Sequence, residues 1–377
     1  MYIHYKITGS PNSPVLVFSN SLGADYHMWD EVVPYLLPFF RILQYDTRGL
    51  GNSEVTPEPY SIELLGNDVI NLLDDLKISS VYFCGLSMGG LIGQWLAIHH
   101  PHRIKKVVIS NSAAKIGDAT RWNDRIKTVS SSGTYPIADE MMERWFTDAY
   151  REKHAGKVLK IKNSFLKSDP IGYCNNCIAI READFRQEVN KIFIPALVVT
   201  GELDPVTTVE HAEFLHREIK GSQLKIFAAK HLSASELPME YAESLLDFFI
   251  GNSVLDRGMH VRRTVLGDSH VDKSIAHLNT FNSDFQTFIT RYAWGDIWSR
   301  PGLTKAQRSM ITLSMLIALN RPVELKMHLR AAIHNGLSVD EIKEICMHAA
   351  LYCGLPAANE AFHLAESIFN ELNINYK

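Results

Sequence analysis

The chain has 377 residues, a formal net charge of −4, and a composition of 46% hydrophobic and 21% charged residues. This length favours two domains over one, and the composition is typical of a globular protein. A negative balance without any block of Lys and Arg argues against a nucleic-acid partner. Because no apolar run could span a bilayer and no secretory signal is visible, we expect a cytoplasmic protein that does not bind a membrane.

Short apolar runs alternate with helical patterns from Pro14 to about Gly251. Most of the predicted strands are apolar or β-branched throughout, as in a parallel sheet buried on both faces. They are residues 15–20, 42–46, 81–85, 106–110, 196–201 and 224–227. Amphipathic helices are predicted between them at residues 62–76, 91–99, 209–219 and 240–249. The alternation predicts a doubly wound α/β domain over residues 1–252.

The alternation fails between about residues 112 and 191, where the pattern is helical and rich in aromatic side chains. No strand is predicted in this segment. A helical insertion after the fourth predicted strand would lie over the carboxyl edge of the sheet, where ligands bind in such folds. We therefore expect residues 112–191 to form a helical cap.

The last third of the chain has a different character. Residues 253–265 are polar and basic and are predicted to be a linker, whereas residues 266–377 have helical periodicity and no β-rich run. Helices are predicted at residues 274–292, 305–319, 322–334, 339–352 and 356–371. Thr304 and Ser338 are expected N-caps of two of these helices. The pattern predicts a second, all-α domain.

Five cysteines in a chain without a secretory signal are expected to be free thiols. Cys174 and Cys177 have the spacing of a redox pair or of half a zinc site. No second CxxC motif or histidine pair completes a metal site. Ordinary packing thiols are therefore the favoured interpretation, and we expect no bound metal.

A glycine-flanked serine, Ser87 in the motif GLSMG (residues 85–89), follows an apolar run and precedes a helical pattern. Such a turn from strand to helix presents the serine hydroxyl above the sheet, where a substrate carbonyl can reach it. The flanking glycines leave room for the strand and helix to pack closely. The spacing alone is weak evidence, and the surrounding elements make Ser87 a candidate nucleophile.

A nucleophilic serine needs a base, and the base needs an acid that fixes its tautomer. Asp204 and His231 follow the fifth and sixth predicted strands, in the order expected of an α/β-hydrolase. Glu202 is a competing acid, and Asp46 is expected to organise the turn after the second predicted strand. Alone, Asp204 could cap a helix and His231 could lie in a surface loop. Together with Ser87 they predict a catalytic triad.

Two backbone amides are needed to stabilise the oxyanion of an acyl-transfer reaction. The amide of Met88, directly after the candidate nucleophile, is the first expected donor. The loop after the first predicted strand, residues 20–23, supplies the second, and Leu22 is the favoured residue. Many hydrolases of this fold begin that loop with His-Gly, whereas this chain has Asn20-Ser21.

Four stretches of the first domain resemble the 3-oxoadipate enol-lactone hydrolase family. They are residues 20–23 with Trp29, residues 46–49, residues 85–90 and residues 177–184. The resemblance implies an α/β-hydrolase fold with a helical cap and a lactone substrate that carries a carboxylate. In the cap, Arg125 or Arg144 is expected to bind that carboxylate, and Trp122 or Trp145 to wall the pocket.

The tail resembles the 4-carboxymuconolactone decarboxylase family. The motifs are residues 265–271, 285–288, 292–295, 300–303, 324–328 and 352–359. The resemblance implies that a butenolide loses CO₂ from its γ carbon while the lactone carbonyl takes up the electrons. The substrate is its own electron sink, so neither a metal nor an organic cofactor is expected. The two families catalyse consecutive steps of protocatechuate breakdown.

Glu324 and His328 are four residues apart, and therefore share one face of a predicted helix. Spacing alone leaves open whether they form a simple surface pair or a carboxylate that orients an imidazole. The resemblance favours the second interpretation, in which they deliver a proton to the substrate. Candidates for holding the substrate carboxylates are His270, Arg291, Arg300 and Arg308.

These observations predict a bifunctional enzyme that acts on small lactone carboxylates, decarboxylating in the tail and hydrolysing in the first domain. The resemblance also implies a homo-oligomer assembled through the tail. One alternative is a carboxylesterase whose helical tail serves oligomerisation or interaction without chemistry. Another is a tail that only recruits partners.

Overall fold

The structure is a computed structural model that describes residues 1–376 and divides the chain into two units. The first unit contains residues 1–8, 14–36 and 42–249. The second unit contains residues 9–13, 37–41 and the chain from residue 250 onward. No helix among residues 1–376 is both long and apolar enough to cross a membrane.

Seven strands form one sheet. They are Tyr5–Thr8 (β1), Val15–Ser19 (β2), Arg41–Tyr45 (β3), Val81–Leu86 (β4), Ile104–Ser110 (β5), Ala196–Gly201 (β6) and Gln223–Phe227 (β7). Their order across the sheet is β1-β3-β2-β4-β5-β6-β7. The neighbours from β2 through β4, β5 and β6 to β7 pair in parallel, and β1 pairs antiparallel with β3.

The strands of the sheet centre are buried on both faces. All six residues of β6 are buried, as are the last four of β5, which explains their continuous apolar sequence. The sequence prediction missed β1 because this edge strand has only four residues and none of them is fully buried. Parallel strands bring their carboxyl ends to one edge of the sheet, where the loops after β4, β6 and β7 meet.

Eleven α-helices belong to the first part of the chain. They are Val33–Leu36 (α1), Ile62–Asp75 (α2), Met88–His99 (α3), Ala119–Ser132 (α4), Ala138–Trp145 (α5), Asp148–Lys153 (α6), Ala155–Leu166 (α7), Pro170–Glu182 (α8), Val209–Glu218 (α9), Ser233–Glu236 (α10) and Pro238–Phe249 (α11). Helices α4–α8 lie between β5 and β6 without any intervening strand, so the predicted cap segment is helical. Asp118 caps α4 by accepting a hydrogen bond from the amide of Arg121 at 2.9 Å.

Seven α-helices and one π-helix lie in the described part of the chain after residue 253. They are Val254–Leu266 (α12), Asp268–Ala276 (α13), Ser283–Ile289 (α14), the π-helix Thr290–Ile297, Lys305–Ala318 (α15), Pro322–His334 (α16), Val339–Cys353 (α17) and Leu355–Glu371 (α18). The buried core of α15–α18 is formed by Leu313, Ile317, Leu325, Leu329, Ala332, Ile342, Cys346, Ala361, Ala365, Ile368 and Phe369. Thr304 and Ser338 cap α15 and α17 with capping boxes, as predicted.

Residues 253–265, predicted to be a linker, differ most from the sequence interpretation. They lie almost wholly in α12, which begins after the N-cap Ser253 and buries Val261 and Val265. The segment contains many basic residues, so its composition does not reveal the apolar face of the helix. The single helix predicted at 274–292 is also divided, into α13, α14 and the π-helix.

Candidate active sites

Ser87 lies in the sharp turn between β4 and α3. Its φ angle of 61° is in the left-handed region, which is strained for a residue with a side chain. A Cβ atom at Gly85 would overlap the backbone of Gly89, and a Cβ at Gly89 would overlap the backbone of Ser19. The amide of Ser87 donates to the carbonyl of Ser110 on β5 at 2.8 Å. The close packing predicted from the motif therefore has a steric cause.

Asp204 and His231 contact each other at the carboxyl edge of the sheet. His231 Nδ1 lies 2.8 Å from Asp204 Oδ2, and both residues are almost fully buried. The amides of Val206 and Thr207 donate to Asp204 Oδ1 at 2.8 and 3.1 Å. The competing acid Glu202 is exposed and has no contact of this kind with His231 among residues 1–376.

The charge of Asp204 is well supported in this buried position. Burial by itself would raise the pKa of the carboxyl group. The charge and hydrogen bond of His231, with hydrogen bonds from Thr207 and Asn111, outweigh burial and lower that pKa below its usual value. Asp204 is therefore ionised at neutral pH and orients the imidazole by accepting from its Nδ1–H.

The two expected oxyanion donors lie on either side of the same turn. Leu22 and Met88 are buried, and within residues 1–376 neither backbone amide donates a hydrogen bond. Asn20 holds their loops together, because its carbonyl accepts from the amide of Gly89 at 3.0 Å. The side-chain amide of Asn20 donates to a backbone carbonyl and accepts from Trp29 Nε1 at 2.9 Å. Asn20, which stands where many hydrolases of this fold have histidine, therefore has a structural role.

Asp46 organises its turn, as the sequence suggested. Its carboxylate accepts from the amides of Tyr26 at 2.8 Å and Asn52 at 2.9 Å, and His4 Nδ1 lies 2.9 Å away. Asp46 is fully buried, and among residues 1–376 it makes no hydrogen bond or ion pair with Ser87 or His231. It is a structural acid rather than a third member of the proton relay.

The cap contains a basic pocket beside the loop that carries Asp204. Its lining residues are Ile116, Gly117, Arg121, Trp122, Arg125, Arg144 and Val206. The guanidinium of Arg125 lies 5.3 Å from the centre of the Trp122 ring, and Trp122 Nε1 donates to a backbone carbonyl. Because the amide of Val206 donates to Asp204, this pocket borders the catalytic candidates directly. Three of the four predicted cap residues are thus brought together.

The side chains that line the pocket carry a net positive charge, which favours binding of an anion. Burial lowers the pKa of Arg144, and the neighbouring charges of Arg121 and Arg125 lower it further. Glu140 forms an ion pair with Arg144 and partly offsets this effect. Three guanidinium groups with one carboxylate partner leave an excess of positive charge, which a bound carboxylate would neutralise.

Trp145 does not line this pocket. It is 1% exposed, and its ring packs edge-on against Phe165 with the ring centres 5.6 Å apart. Its carbonyl accepts from the amide of Leu232, the residue after His231, at 3.0 Å. Trp145 is therefore a core residue of the cap, and it also connects the cap to the loop that carries His231.

Several residues of this site were missed from the sequence. Arg121 lies one helical turn before Arg125, so helical spacing could have found it. Asn111, with a φ of 42°, donates to Asp204 Oδ2 at 3.1 Å and accepts from Ser233. Tyr173 on α8 is fully buried, its hydroxyl interacts with Arg125, and its ring lies close to Gly23. No local pattern marks Asn111 or Tyr173, because each depends on contacts between distant segments.

The CxxC cysteines are packing groups within the cap. Cys174 and Cys177 are both buried and both are free thiols. Burial raises the pKa of each thiol, which disfavours the reactive thiolate. Among residues 1–376 no group of three or more His, Cys, Asp or Glu side chains is arranged to hold a metal ion.

In the second unit, the charges of His270 and Glu324 act on the imidazole of His328. Burial lowers the pKa of His328 to about 4, the charge of His270 on α13 adds to this, and Glu324 opposes it. His328 is therefore neutral at pH 7. No hydrogen bond joins Glu324 to His328 among residues 1–376, so their coupling is electrostatic. Arg291, Arg300 and Arg308 do not contribute to the shifts of His270 or His328.

The low pKa of His328 predicts a pH-dependent stability. Between about pH 6.5 and 4 the unfolded chain binds a proton at this position that the folded chain excludes, so stability falls as pH falls through this window. We expect the Tm of the wild type to drop by about 5 °C relative to His328→Asn between pH 7 and 4.5. Parallel thermal melts of both proteins measure this. A constant Tm difference would contradict the shifted pKa.

Comparison with known proteins agrees with both halves of the structure. Residues 14–236 match the family model described as alpha/beta hydrolase fold, and residues 283–367 match that of the Carboxymuconolactone decarboxylase family. The 3-oxoadipate enol-lactonase 2 of Acinetobacter baylyi is 43% identical over 239 residues, which cover 63% of this chain and 90% of that relative. The 4-carboxymuconolactone decarboxylase of the same organism is 53% identical over 118 residues, covering 31% of this chain and 88% of the relative.

A solved structure supports the assignment of the first unit. The enol-lactonase from Burkholderia xenovorans LB400 superposes with a TM-score of 0.65 at 41% identity, covering 65% of this chain and 95% of that chain. The fold class and the resemblances inferred from motifs are thus confirmed. The chain belongs to the alpha/beta hydrolase family over its first two thirds and to the carboxymuconolactone decarboxylase family over its last third.

Proposed function

We propose that this chain is a bifunctional enzyme of protocatechuate catabolism. The second unit decarboxylates 4-carboxymuconolactone to 3-oxoadipate enol-lactone, and the first unit hydrolyses that lactone to 3-oxoadipate. The names of the relatives support the two activities separately. The observation that carries the hydrolase assignment is the arginine-lined pocket beside Asp204, because it suits an ester that bears a carboxylate.

Decarboxylation would break the bond between the γ carbon and its carboxylate. The electron pair moves through the ring double bond into the lactone carbonyl and leaves a dienolate. A proton then adds at the α carbon and gives the enol-lactone. Glu324 and His328 are the proposed groups that hold and deliver this proton. Two substrate carboxylates near His328 would raise its pKa from about 4 and allow it to carry a proton in the complex.

Hydrolysis would begin with attack of Ser87 Oγ on the lactone carbonyl while His231 takes the proton. The amides of Leu22 and Met88 stabilise the oxyanion of the tetrahedral intermediate. The ring oxygen leaves as an enol, which becomes a ketone. A water molecule activated by His231 then attacks the acyl-serine and releases 3-oxoadipate.

The test is to supply 4-carboxymuconolactone to the purified full-length protein. We expect one equivalent of CO₂ and one of 3-oxoadipate per lactone consumed, as measured by gas analysis and NMR. The competing proposal, a carboxylesterase with a non-catalytic helical tail, predicts ester hydrolysis without CO₂ release. Absence of CO₂ from folded protein would overturn the decarboxylase assignment.

The basic cap pocket is proposed to bind the carboxylate of the enol-lactone. Arg125→Gln and Arg144→Gln should each raise the KM for enol-lactone by about 10-fold or more, because each removes a charge-assisted hydrogen bond. Hydrolysis of a neutral ester such as p-nitrophenyl acetate should change little. Arg186→Gln is the control, since Arg186 is exposed and pairs with Asp184 outside the pocket. Equal losses on both esters would contradict the assignment.

We also propose that the protein assembles into a homo-oligomer through its second unit. Val323, Leu351, Tyr352 and Leu355 are each 73–78% exposed although they are large and apolar. Exposed apolar patches of this kind often mark contacts between proteins. Light scattering coupled to size exclusion should give an oligomer that Leu351→Glu weakens. A monomeric wild type would refute this proposal.

A further inference from the structure

Arg262 is a buried cation in the middle of α12. Only 6% of the residue is exposed, and its guanidinium donates to three neutral side chains. Nη1 donates to Thr290 Oγ1 at 3.1 Å, and Nη2 donates to Ser274 Oγ and Gln286 Oε1, each at 2.9 Å. Three helical segments therefore hold this guanidinium in one orientation.

No carboxylate neutralises this charge. Among residues 1–376 Arg262 has no ion pair, and its Nε is buried without a hydrogen-bond partner. The adjacent Arg263 differs in both respects, because it is partly exposed and pairs with Asp268 at 3.1 Å and Asp272 at 2.8 Å. Both acids lie on α13, so carboxylates are available nearby and none is used for Arg262. A buried charge without a counter-ion is costly, and functional sites are where such costs are found.

The helix that carries Arg262 packs against the helix that carries Glu324 and His328, and His334 Nε2 on α16 lies 3.1 Å from the carbonyl of Thr264 on α12. Its partner Ser274 follows His270 by four residues, so both lie on one face of α13. The charge of Arg262 contributes to lowering the pKa of His270, and His270 in turn contributes to lowering that of His328. The unpaired cation thus belongs to the neighbourhood of Glu324, His328 and His270.

We propose that Arg262 binds the carboxylate of the lactone substrate that is retained through decarboxylation; this inference rests on the proposed decarboxylase function. The retained carboxylate keeps its full charge from substrate to product. The departing carboxylate loses its charge as CO₂ forms, so a buried guanidinium bound there would stabilise the ground state and slow the reaction. The Arg262 guanidinium is therefore expected to bind the carboxylate that remains in the product, where it orients the lactone ring for proton delivery.

The test compares two substrates and three proteins. The substrates are 4-carboxymuconolactone and an analogue in which a methyl group replaces the retained carboxymethyl group. The proteins are full-length wild type, Arg262→Met and Arg263→Gln, the last being the neighbouring control. We expect Arg262→Met to lower kcat/KM for the dicarboxylate by about 100-fold, mainly through KM. Its kcat/KM for the methyl analogue should fall by less than about 3-fold, and Arg263→Gln should resemble wild type.

Equal losses on both substrates would overturn the inference, because a merely structural Arg262 would not distinguish them. Circular dichroism and thermal melts check that each variant is folded. If Arg262→Met fails to fold, Arg262→Lys replaces it, with an expected loss of about 10-fold confined to the dicarboxylate. A wild type that releases no CO₂ refutes the proposed function itself, which is a separate outcome.

Discussion

Replacement of Ser87 by alanine is expected to stop enol-lactone hydrolysis while decarboxylation continues. The substitution removes the nucleophile, and loss of such a serine typically lowers kcat by roughly 10⁴- to 10⁶-fold. Protein supplied with 4-carboxymuconolactone should therefore release CO₂ at the wild-type rate and accumulate enol-lactone. Proton NMR follows the lactone, and a gas-phase assay follows CO₂ in the same reaction.

This result depends on the two chemistries using separate groups. Ser87 lies in the first unit, whereas Glu324, His328 and His270 lie in the second. An unchanged Tm would show that the alanine variant is folded, and added wild-type protein should then consume the accumulated lactone. Continued rapid hydrolysis by Ser87→Ala would remove Ser87 as the nucleophile.

The complementary substitutions are expected to have the reverse effect. Glu324→Gln and His328→Asn should each lower the rate of CO₂ release by about 10²- to 10⁴-fold, because each disturbs the proposed proton delivery. Hydrolysis of added enol-lactone should remain within about twofold of wild type in both variants. Initial rates with each substrate supplied separately give the two activities independently.

Glu366→Gln and His363→Asn are matched controls. Both residues are exposed on α18 of the same unit and make none of the contacts described for the site. Each control should decarboxylate at the wild-type rate. If Glu324→Gln and His328→Asn also retain full CO₂ release, the proton-delivery role belongs to other groups.

The parts of the site that follow strands could be predicted from the sequence. Ser87, Asp204 and His231 lie in the loops that follow the parallel strands β4, β6 and β7, and parallel strands end at one edge of the sheet. Local pattern and chain order are therefore enough to bring these residues to the same region. The oxyanion candidates Leu22 and Met88 follow from the same argument, since both adjoin a strand end.

Residues whose role depends on the packing of helices could not be predicted in this way. Arg262 is one basic residue among several in a segment read as a linker, and only its burial and lack of a counter-ion distinguish it. Trp122 and Trp145 have equivalent aromatic signals in the cap sequence. Tertiary packing alone decides that Trp122 lines the pocket and Trp145 lies in the cap core.

The hydrogen bonds between the cap and the loop that carries His231 have a consequence for the timing of catalysis. The carbonyl of Trp145 accepts from Leu232, and Glu236 accepts both from Thr147 in the cap and from the amide of Lys230. Lys230 and Leu232 flank His231, so a displacement of the cap at this point would disturb the proposed general base. A form with the cap displaced there would not catalyse hydrolysis. The proposed proton relay would be aligned again only after the cap had closed.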